Sequence, residues 1–450
     1  MEQEQTLFGT VEMTAIFSGE AHLRAMLVFE GALARAQARA GVIPAEAADA
    51  IVSACRVELF DIPVLYRDAA AAGTIAIPLV TALTGQVPGE HGRFVHFGAT
   101  SQDAVDSALM LQMGDGLDLL IDGLLAIGDA AASLAERHRR TPMMGRTLLQ
   151  QALPITFGLK AARWLALVTR QAQRLDTLRS EALVIQFGGA VGTLAALGYR
   201  GLPVMELLAE ELGLHVPDLP WHTERDRIAE LAAAVGVVAG AMAKIAGDIV
   251  LLAQTEVGEV AEATAPGKGG SSAIPHKRNP VDATFALASA RLAIGEAPIV
   301  LQAMTHEHER GAGGWQAEWA VFPSLFGHTA GAVERVRSAV TGLIIDAERM
   351  RANLDLTGGL MMAEALTMAL ARSIGRPDAY RLVEAAAERA RAVSGSLRDA
   401  ALADEQIRSA LLPEEIDRAL APLAYLGSTN QFIDRALAGY GELRSSRHRQ

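Results

Sequence analysis

The sequence contains a single cysteine, Cys55, and few aromatic residues. Only 5% of the 450 residues are aromatic although 50% are hydrophobic, so small and aliphatic side chains supply most of the apolar content. One cysteine excludes an intramolecular disulfide and a metal site built from several thiolates. A reducing, cytoplasmic setting is the expectation that follows. The first residues, MEQEQTLFG, lack the apolar segment of a secretory signal, so we expect none here.

The sequence also lacks an excess of basic residues and a long uninterrupted apolar run. It has 40 Lys and Arg against 52 Asp and Glu, which gives a net charge of −12. Nucleic-acid binding needs clustered positive charge, so we expect no nucleic-acid partner. The longest strongly apolar run, 231–243, is shorter than the roughly 20 residues of a membrane-spanning helix, so no membrane partner is expected either. Because the overall charge repels anions, an anion site has to be built locally.

Helical periodicity dominates the chain, and alternating strand-like patterns are almost absent. In 21–36, for example, apolar residues recur every three or four positions. The pattern predicts an all-α protein with three helical domains, namely an N-terminal domain (1–108), a central bundle of long helices (109–352) and a small C-terminal domain (353–450). The long helical stretches are predicted over 109–138, 151–183, 223–260 and 280–303.

The central helices have too few polar faces for a single chain. The segment 229–260 is apolar nearly all round and rich in alanine. A helix of this kind has to be buried on every side, and small residues let its neighbours approach closely. We therefore predict that further copies of the chain complete the bundle. A large monomeric core is the alternative, and light scattering at micromolar concentration distinguishes the two.

A glycine-rich, cationic loop spans 267–280, with the sequence GKGGSSAIPHKRNP. It carries three Lys or Arg residues and no acidic residue, so its local charge is about +3 within a protein of net charge −12. Asn279 followed by Pro280 predicts a helix start, with Asn as N-cap and Pro as the first helical residue. The free N–H groups of a helix N-terminus favour anions. The loop therefore predicts an anion site, with a mobile surface loop as the alternative.

Three blocks of the sequence resemble a known family. The stretch GSSAIPHKRNP (270–280) resembles the signature of the fumarase/aspartase superfamily, which includes argininosuccinate and adenylosuccinate lyases. Two further blocks, VHFGATSQD (95–103) and GRTLLQ (145–150), agree with it in order and spacing, and the resemblance covers essentially the whole chain. Five stretches are similar to one branch, the bacterial carboxymuconate cycloisomerases: FGGAVGTLAALG (187–198), PWHTERDR (220–227), TEVGEVAEATAPGKGGSS (255–272), HEHERGAGGWQAEW (306–319) and NLDLTGGL (353–360).

The resemblance implies an assembly and a set of site residues. It implies a homotetramer in which the central bundles form a 20-helix core and each active site is shared between subunits. Lys277 and Asn279 would bind the carboxylate beside the reacting carbon and Ser271 would exchange the proton, with His96 and His276 as the alternatives for that proton. The predicted catalytic residues are Ser271, Lys277, Asn279 and His96. The predicted substrate-binding residues are Thr100, Ser101, Arg146, Thr147, Gln150, Ser272, His276 and Arg310.

Some of these residues have an equally simple structural role. Arg146 and Arg310 suit a carboxylate because a guanidinium pairs with both of its oxygens, but each could instead form a salt bridge. Thr100 and Ser101 could cap the helix that follows them. His306 and His308 alternate with acidic residues, yet a spacing of two points side chains in different directions on a helix. We predict no metal and no cofactor.

One residue departs from the superfamily pattern in an informative way. Superfamily lyases typically read G-R-T-H in the second block, where the His acts as or supports the acid for the leaving group, and this sequence has Leu148 there. An amine or hydroxide leaving group is strongly basic and needs a proton donor. A carboxylate, with a reference pKa of about 4, departs unaided. Leu148 therefore favours a cycloisomerase, in which the substrate's own carboxylate adds to a C=C bond.

The resemblance, together with Leu148, thus implies a cycloisomerase whose substrate is a small tricarboxylate, and the single cysteine adds the expectation of a cytoplasmic setting. The predicted reaction converts 3-carboxy-cis,cis-muconate to 4-carboxymuconolactone in protocatechuate (β-ketoadipate) catabolism. The runner-up is a superfamily lyase that releases fumarate, of the adenylosuccinate lyase kind. A sulfomuconate cycloisomerase and a non-enzymatic helical scaffold also stay open.

Overall fold

The structure is a computed structural model that describes residues 7–447. The described residues are predominantly helical, which confirms the predicted all-α class. Several of the first helices begin at a Ser, Thr or Asp whose side chain accepts a backbone N–H, as N-caps do. These N-terminal helices are α1 (Val11–Ile16), α2 (Gly19–Arg39), α3 (Ala45–Ala54), α4 (Ile62–Ala72) and α5 (Ala76–Gln86).

The middle of the chain contains five long helices, one shorter helix and a β-hairpin. The strands β1 (Pro142–Thr147) and β2 (Gln150–Thr156) form the hairpin. Four of the long helices cover most of the predicted helical stretches. The helices are α6 (Ser101–Arg137), α7 (Phe157–Glu181), α8 (Gly201–Leu212), α9 (Asp226–Ala253), α10 (Val281–Ala303) and α11 (Gly314–Thr341).

The hairpin corrects the predicted helix over 151–183, because 151–156 belongs to β2. Its two-residue turn consists of Leu148 and Leu149, which have φ values of 50° and 64°. Positive φ at both positions is typical of the tight turns that join antiparallel strands, but Asn and Gly are the residues that signal them. A Leu-Leu turn carries no such signal, so the apolar periodicity alone predicts a helix that wrongly includes 151–156.

Two other predicted boundaries are also wrong. Helix α6 begins at Ser101 and not at 109, because Thr100 donates its N–H to the Asp103 carboxylate (3.0 Å), which is one half of a capping box. Helix α9 ends at Ala253 and not at 260, and a two-residue strand, β3 (Val260–Ala261), follows. In the first case a local polar contact starts the helix before the apolar pattern begins, and in the second case a turn at 255–257 lies between the helix and β3.

The C-terminal part consists of short helices. Strand β3 pairs antiparallel with β4 (Ile344–Ile345), which immediately precedes them. These helices have 6 to 19 residues, against 23 to 37 residues for the five long helices of the middle of the chain. The helices are α12 (Ala347–Asp355), α13 (Ala363–Ile374), α14 (Arg376–Ala392), α15 (Leu397–Ala403), α16 (Glu405–Ala410), α17 (Pro413–Ala419) and α18 (Thr429–Arg447).

The chain forms two compact units. Each unit combines three separate parts of the sequence, because the boundaries between the units fall inside the five long helices. The division into domains at 1–108, 109–352 and 353–450 stays a prediction. Unit 1 comprises Met1–Leu124, Gln171–Lys244 and Phe285–Arg335, and unit 2 comprises Leu125–Arg170, Ile245–Thr284 and Val336–Gln450.

Unit 1 has an extensive apolar core. Leu23, Met26 and Phe29 of α2 are fully buried, at the spacing of three that the sequence predicts for the inner face of this helix. Burying a side chain of this size stabilises the fold by about 1.5–3 kcal/mol. Trp315 and Trp319 of α11 stack edge to face, with 4.7 Å between ring centroids.

Unit 2 has a core of its own among the short helices. Leu366 and Leu370 of α13, Val383 of α14, Leu397 of α15 and Ile416 of α17 are all buried in one cluster. These residues lie on four consecutive or nearly consecutive helices, so local contacts supply much of this core.

Among the residues that the structure describes, two helices are long and apolar enough, by length and composition alone, to cross a membrane. They are Asp226–Ala253 and Val281–Ala303. The prediction that no apolar segment is long enough to cross a membrane is therefore wrong, because a helix continues past isolated charged residues such as Lys244. The absence of a membrane partner stays a prediction. Large apolar side chains of these helices that are exposed in the single chain are Val237, Leu251, Leu292, Ile294, Ile299 and Leu301.

Candidate active site

In unit 1, Asp103 organises the block 95–103. Its buried carboxylate accepts the N–H of Thr100, which precedes α6, and so fixes the start of that helix. Two further N–H groups, of Gly188 (3.0 Å) and Gly189 (2.9 Å), point at the same carboxylate. Hydrogen bonds to a charged acceptor are worth about 1.5–3 kcal/mol each. Asp103 therefore joins the first signature block to the glycine loop at 188–192.

His222 completes the set of donors around Asp103. Its Nε2 atom lies 2.8 Å from Oδ1 of Asp103, and since a carboxylate only accepts, Nε2 carries the hydrogen. Gly188 packs directly against this ring, because a Cβ at Gly188 would lie 2.8 Å from Cε1 of His222. Glycine is therefore required at 188 by close approach. His222 is a functional candidate that the sequence did not identify, and no local pattern links it to Asp103.

Arg310 is the predicted substrate-binding residue that the structure brings next to this block. Its Nη1 atom donates to Oε1 of Gln102 (3.2 Å) and its Nη2 atom to the carbonyl of Ala190 (2.8 Å). Both partners are uncharged, so these contacts orient the guanidinium without neutralising its charge. Arg310 is therefore a cation held beside the first signature block.

His96 forms an ion pair that the sequence did not predict. Its Nδ1 atom lies 2.6 Å from Oε1 of Glu30 on α2. Burial works to lower the pKa of His96, but the charge and hydrogen bond of Glu30, together with the charge of Asp103, outweigh it, so the pKa is raised. The imidazolium form therefore persists to higher pH than in a free histidine.

A buried ionic cluster lies one helical turn beyond the first block. Arg225 donates to Asp106 through Nη1 (2.6 Å) and to Glu318 through Nε (3.1 Å), and all three side chains are at most 1% exposed. Trp315 donates to Asp106 as well (2.9 Å). Burial raises the pKa of Glu318 to about 7 despite Arg225, because one guanidinium faces two carboxylates.

In unit 2, the second block lies on the β-hairpin. Arg146 forms a bidentate ion pair with Glu259, with distances of 2.7 and 3.0 Å. Asn353 donates to the same carboxylate (2.8 Å), and Glu259 is buried. This ion pair is the alternative role that the sequence left open for Arg146. Its charge, unlike that of Arg310, is balanced within the chain.

At the turn of that hairpin, Leu148, the residue that departs from the superfamily pattern, is exposed to solvent in the single chain. Leu148 is 96% exposed and Leu149 is 74% exposed in the single chain. Thr147 and Gln150 face each other as the last pair of the hairpin and are exposed too. Exposed leucines at a tight turn are unfavourable in water, so this tip is suited to contact with another molecule.

The third block forms a loop closed by a hydrogen-bonded neck. Asn279 donates its backbone N–H to the carbonyl of Gly269 (2.8 Å) and its side-chain amide to that of Gly270 (3.3 Å). Gly269 has φ of +72°, and a Cβ there would lie 2.9 Å from the Asn279 oxygen. Ser271 accepts the N–H groups of Ala273 (3.3 Å) and Ile274 (3.1 Å). Ser271 and Asn279, two predicted catalytic residues, thus lie at the same neck.

The helix N-terminus after this loop differs from the prediction. Helix α10 begins at Val281, not at Pro280, and the N–H groups of Asp282 (3.1 Å) and Ala283 (2.8 Å) donate to Glu262. Lys268 of the loop is paired with Asp282 at 2.5 Å. The expectation of a free helix N-terminus as the anion site is therefore wrong, because a buried carboxylate from the same unit occupies it. Lys277 and Arg278 are exposed.

The predicted site residues fall into both units. His96, Thr100, Ser101 and Arg310 lie in unit 1, and the other eight lie in unit 2. His276 and Ser272 are exposed in the loop. Within the described range 7–447, no three His, Cys, Asp or Glu side chains are grouped as a metal site would require. The functional candidates missing from the sequence-based set are Glu30, Gln102, Asp103, His222, Glu259 and Glu262.

Comparison with known sequences identifies the family. The model of the family described as "Lyase" matches residues 9–295, and the one described as "Adenylosuccinate lyase C-terminus" matches residues 359–436. A 3-carboxy-cis,cis-muconate cycloisomerase of Pseudomonas aeruginosa is 49% identical over 97% of this chain and 96% of its own length. One of Bradyrhizobium diazoefficiens is 48% identical over 96% of both chains.

A solved structure agrees with these matches. The crystal structure of the 3-carboxy-cis,cis-muconate lactonizing enzyme from Pseudomonas putida superposes with a TM-score of 0.91 at 44% identity, and covers 97% of this chain and 98% of its own. The family match over residues 9–295 includes all three signature blocks. The chain therefore belongs to this lyase family, the fumarase/aspartase superfamily that its three signature blocks indicate.

Proposed function

We propose that this chain is a cycloisomerase that converts 3-carboxy-cis,cis-muconate to 4-carboxymuconolactone. A carboxylate of the substrate adds to the conjugated C=C bond, and the carbon next to another carboxylate takes up a proton. The relatives named above support this reaction. Protocatechuate breakdown, by way of the β-ketoadipate pathway, is the metabolic setting that the reaction implies.

Leu148 is the observation within this chain that carries the proposal. It replaces the histidine of the superfamily lyases at the tip of the β1–β2 hairpin, where it is 96% exposed. An apolar side chain at this tip cannot donate a proton to a basic leaving group. Lactone formation, and its reversal, involve a carboxylate that needs no such donor. A fumarate-releasing lyase would need another acid in place of Leu148.

The loop 267–280 supplies the groups that handle the carbanion. Ser271 exchanges the proton, and Lys277 and Asn279 bind the carboxylate that takes up the extra negative charge. The neck between Gly269 and Asn279 supports these roles, because it fixes Asn279 close to Ser271 before the substrate arrives. Donors that are already in place stabilise developing charge without reorganisation. Ser272 and His276 contact the substrate from the same loop.

A tricarboxylate also needs cations outside that loop. Arg310 is suited to this role because both of its contacts in unit 1 are neutral. His96, Thr100 and Ser101 add donors from the first block. In unit 2 we assign Arg146 to shaping the hairpin, since Glu259 balances its charge, and Thr147 and Gln150 to substrate contact at the hairpin tip.

The active form is a homotetramer in the cytoplasm, and its sites combine blocks from different subunits. The exposed apolar side chains of α9 and α10 support an assembly, because a soluble monomer rarely leaves a long helix face of this kind open to water. Burial of these faces forms the shared helical core. The exposed leucines of the hairpin tip are covered in the same way when a subunit contributes its second block to a neighbour's site.

One ultraviolet assay tests the reaction. Conversion of 3-carboxy-cis,cis-muconate to the lactone removes the conjugated absorbance of the diene, and proton NMR of the product identifies the lactone. Adenylosuccinate, with fumarate as the product, is the control substrate for the lyase reaction, and the sulfonate analogue tests the third acidic group. Fumarate release from adenylosuccinate without any loss of muconate absorbance would contradict the proposal.

A further inference from the structure

Glu30 lies outside the three signature blocks, yet it contacts one of their histidines. Its side chain is 1% exposed, that of His96 is 14% exposed, and Oε1 lies 2.6 Å from Nδ1. Among the described residues, the second oxygen of Glu30 has no hydrogen-bond partner. A buried carboxylate is unfavourable unless a positive or hydrogen-bonding group compensates it. His96 is the group that does so.

Helix α2 contacts the turn that contains His96 and Phe97 at two points. Gln37, which is fully buried, donates to the carbonyl of Phe97 (2.5 Å), while Glu30 holds the adjacent ring. Glu30 and Gln37 are seven residues apart, about two helical turns, and so lie on the same face of α2. His96 has φ of +56°. A non-glycine residue keeps such a backbone only where its surroundings hold it.

The charges around His96 favour its protonated form. Glu30 faces it from α2 and Asp103 from α6, and their influence exceeds the opposing effect of burial on the pKa of His96. Cys55, which directly follows α3, lies near Glu30, but burial, followed by the charge of Glu30, raises the pKa of the thiol to about 12. The thiol is therefore neutral, and the two carboxylates remain the charged neighbours of the ring.

We propose that Glu30 is a positioning residue for the cycloisomerisation, which holds His96 by Nδ1 so that a protonated Nε2 meets a carboxylate of the substrate. This inference rests on the function proposed above. An imidazolium whose Nδ1–H is bound to Glu30 has Nε2–H as its remaining donor. A hydrogen bond between charged partners is roughly twice as strong as one between neutral groups. The pair carries no net charge, so what it offers the substrate is a fixed Nε2–H donor on a charged ring.

The test is the pH dependence of kcat/KM for wild type and Glu30→Gln, followed from about pH 5.5 to about pH 9. In the wild type the imidazolium persists to high pH, so activity falls on the basic side as His96 loses its proton. In Glu30→Gln burial dominates, and the basic limb is expected to move to lower pH by about one unit or more. At the acidic end of the profile, the kcat/KM values of the two enzymes should agree within about threefold. At pH values above both basic limbs, kcat/KM of Glu30→Gln should be lower by about tenfold for each pH unit by which its basic limb has moved.

Two variants separate charge from structure. Gln37→Leu loosens the same turn but leaves Glu30 in place, so kcat/KM should fall by one factor at every pH with no movement of the limb. Glu30→Asp keeps the negative charge on a shorter side chain. Its basic limb should therefore lie between those of Glu30→Gln and the wild type. A Glu30→Gln variant that loses the same factor at all pH values overturns the proposal.

A second measurement does not depend on activity. The Cε1–H resonance of His96, assigned by its absence from the spectrum of His96→Asn, reports the protonation of the ring directly. We expect a lower pKa for His96 in Glu30→Gln than in the wild type, and equal values overturn the inference. A wild-type chain without cycloisomerase activity contradicts the proposed function instead, while the titration still decides the role of Glu30.

Discussion

Nε2 of His222 lies 2.8 Å from Oδ1 of Asp103, with the two side chains 4% and 0% exposed. The same carboxylate accepts the N–H groups of Thr100, Gly188 and Gly189. Four donors from three separate parts of unit 1 therefore converge on one buried charge. The first signature block keeps its shape because of this charge, and not because of local sequence alone.

Asp103→Asn should destabilise the protein far more than its small change in volume suggests. The amide nitrogen of asparagine would face backbone N–H donors in place of an acceptor, and the donors would lose a charged partner. We expect the free energy of unfolding to fall by about 2–4 kcal/mol. The measurement is thermal unfolding at one protein concentration. The control is Asp118→Asn, which removes a half-exposed pair with Arg179 and should cost within about 1 kcal/mol. Equal melting temperatures for both variants would refute this role of Asp103.

Leu148→His should be tolerated by the cycloisomerase. Histidine accepts the positive φ of 50° at this turn more readily than leucine does. Because the carboxylate needs no acid, we expect kcat for lactone formation to change by less than about threefold. Leu149→His is the matched control. A large gain in kcat for Leu148→His alone would show that the reaction does use a proton donor there.

Glu318 makes stability depend on pH. Its pKa is about 7 in the folded protein, above the ordinary value, because burial outweighs the pairing with Arg225. The folded state then holds a proton that the unfolded state has already released, so this contribution to stability is present at low pH and is lost as pH rises through about 7. Relative to Glu318→Gln, the wild type should lose about 2–3 kcal/mol between about pH 5 and about pH 8. Parallel stability curves for the two proteins would contradict this.

Replacing Ser271 and replacing Ser272 by alanine should have different kinetic effects, although the two serines are adjacent. Ser271 lies at the neck of the loop and is assigned the proton, so Ser271→Ala should lower kcat by about 10²- to 10⁴-fold. Ser272 is exposed and is assigned to binding, so Ser272→Ala should raise KM with kcat nearly unchanged. Steady-state kinetics of the two variants side by side decides the point, and the reverse pattern would exchange the two assignments.

Val237→Glu should disrupt the assembly. Val237 is 58% exposed on α9 in the single chain, and a charge there would have to be buried without a partner when copies associate. Light scattering after size exclusion should show a tetramer for the wild type and smaller species for the variant. Leu412→Glu, at a 63% exposed leucine next to α17, is the control and should stay tetrameric. A wild type that is monomeric at micromolar concentration would remove the shared-site proposal.

The all-α class, the reaction and the third block were accessible from sequence because each depends on local information. Periodicity along α2 predicts its buried face, and the motif around Ser271 is long enough to identify the family. Leu148 needed only a comparison of residue types at one position. None of these inferences requires knowledge of which distant residues meet.

The polar contacts were not accessible because they connect distant parts of the chain. Arg225 and Asp106 are 119 positions apart, and His222 and Asp103 are separated by the same number. The prediction of a free helix start after the loop fails for a related reason. Asn279 and Pro280 are a good local signal for a helix start. The first N–H groups of that helix, however, donate to the carboxylate of Glu262, a residue from before the loop.

The two glutamates beside β3 restrict insertions and deletions in this part of the sequence. Glu259 holds Arg146 of the second block and Glu262 holds the start of α10, and only the two residues of β3 separate them. A one-residue insertion or deletion would turn one carboxylate to the opposite face of the strand, since side chains alternate along it. Length changes are therefore excluded from this short stretch even where residue identities can vary, and natural variants should show their insertions elsewhere.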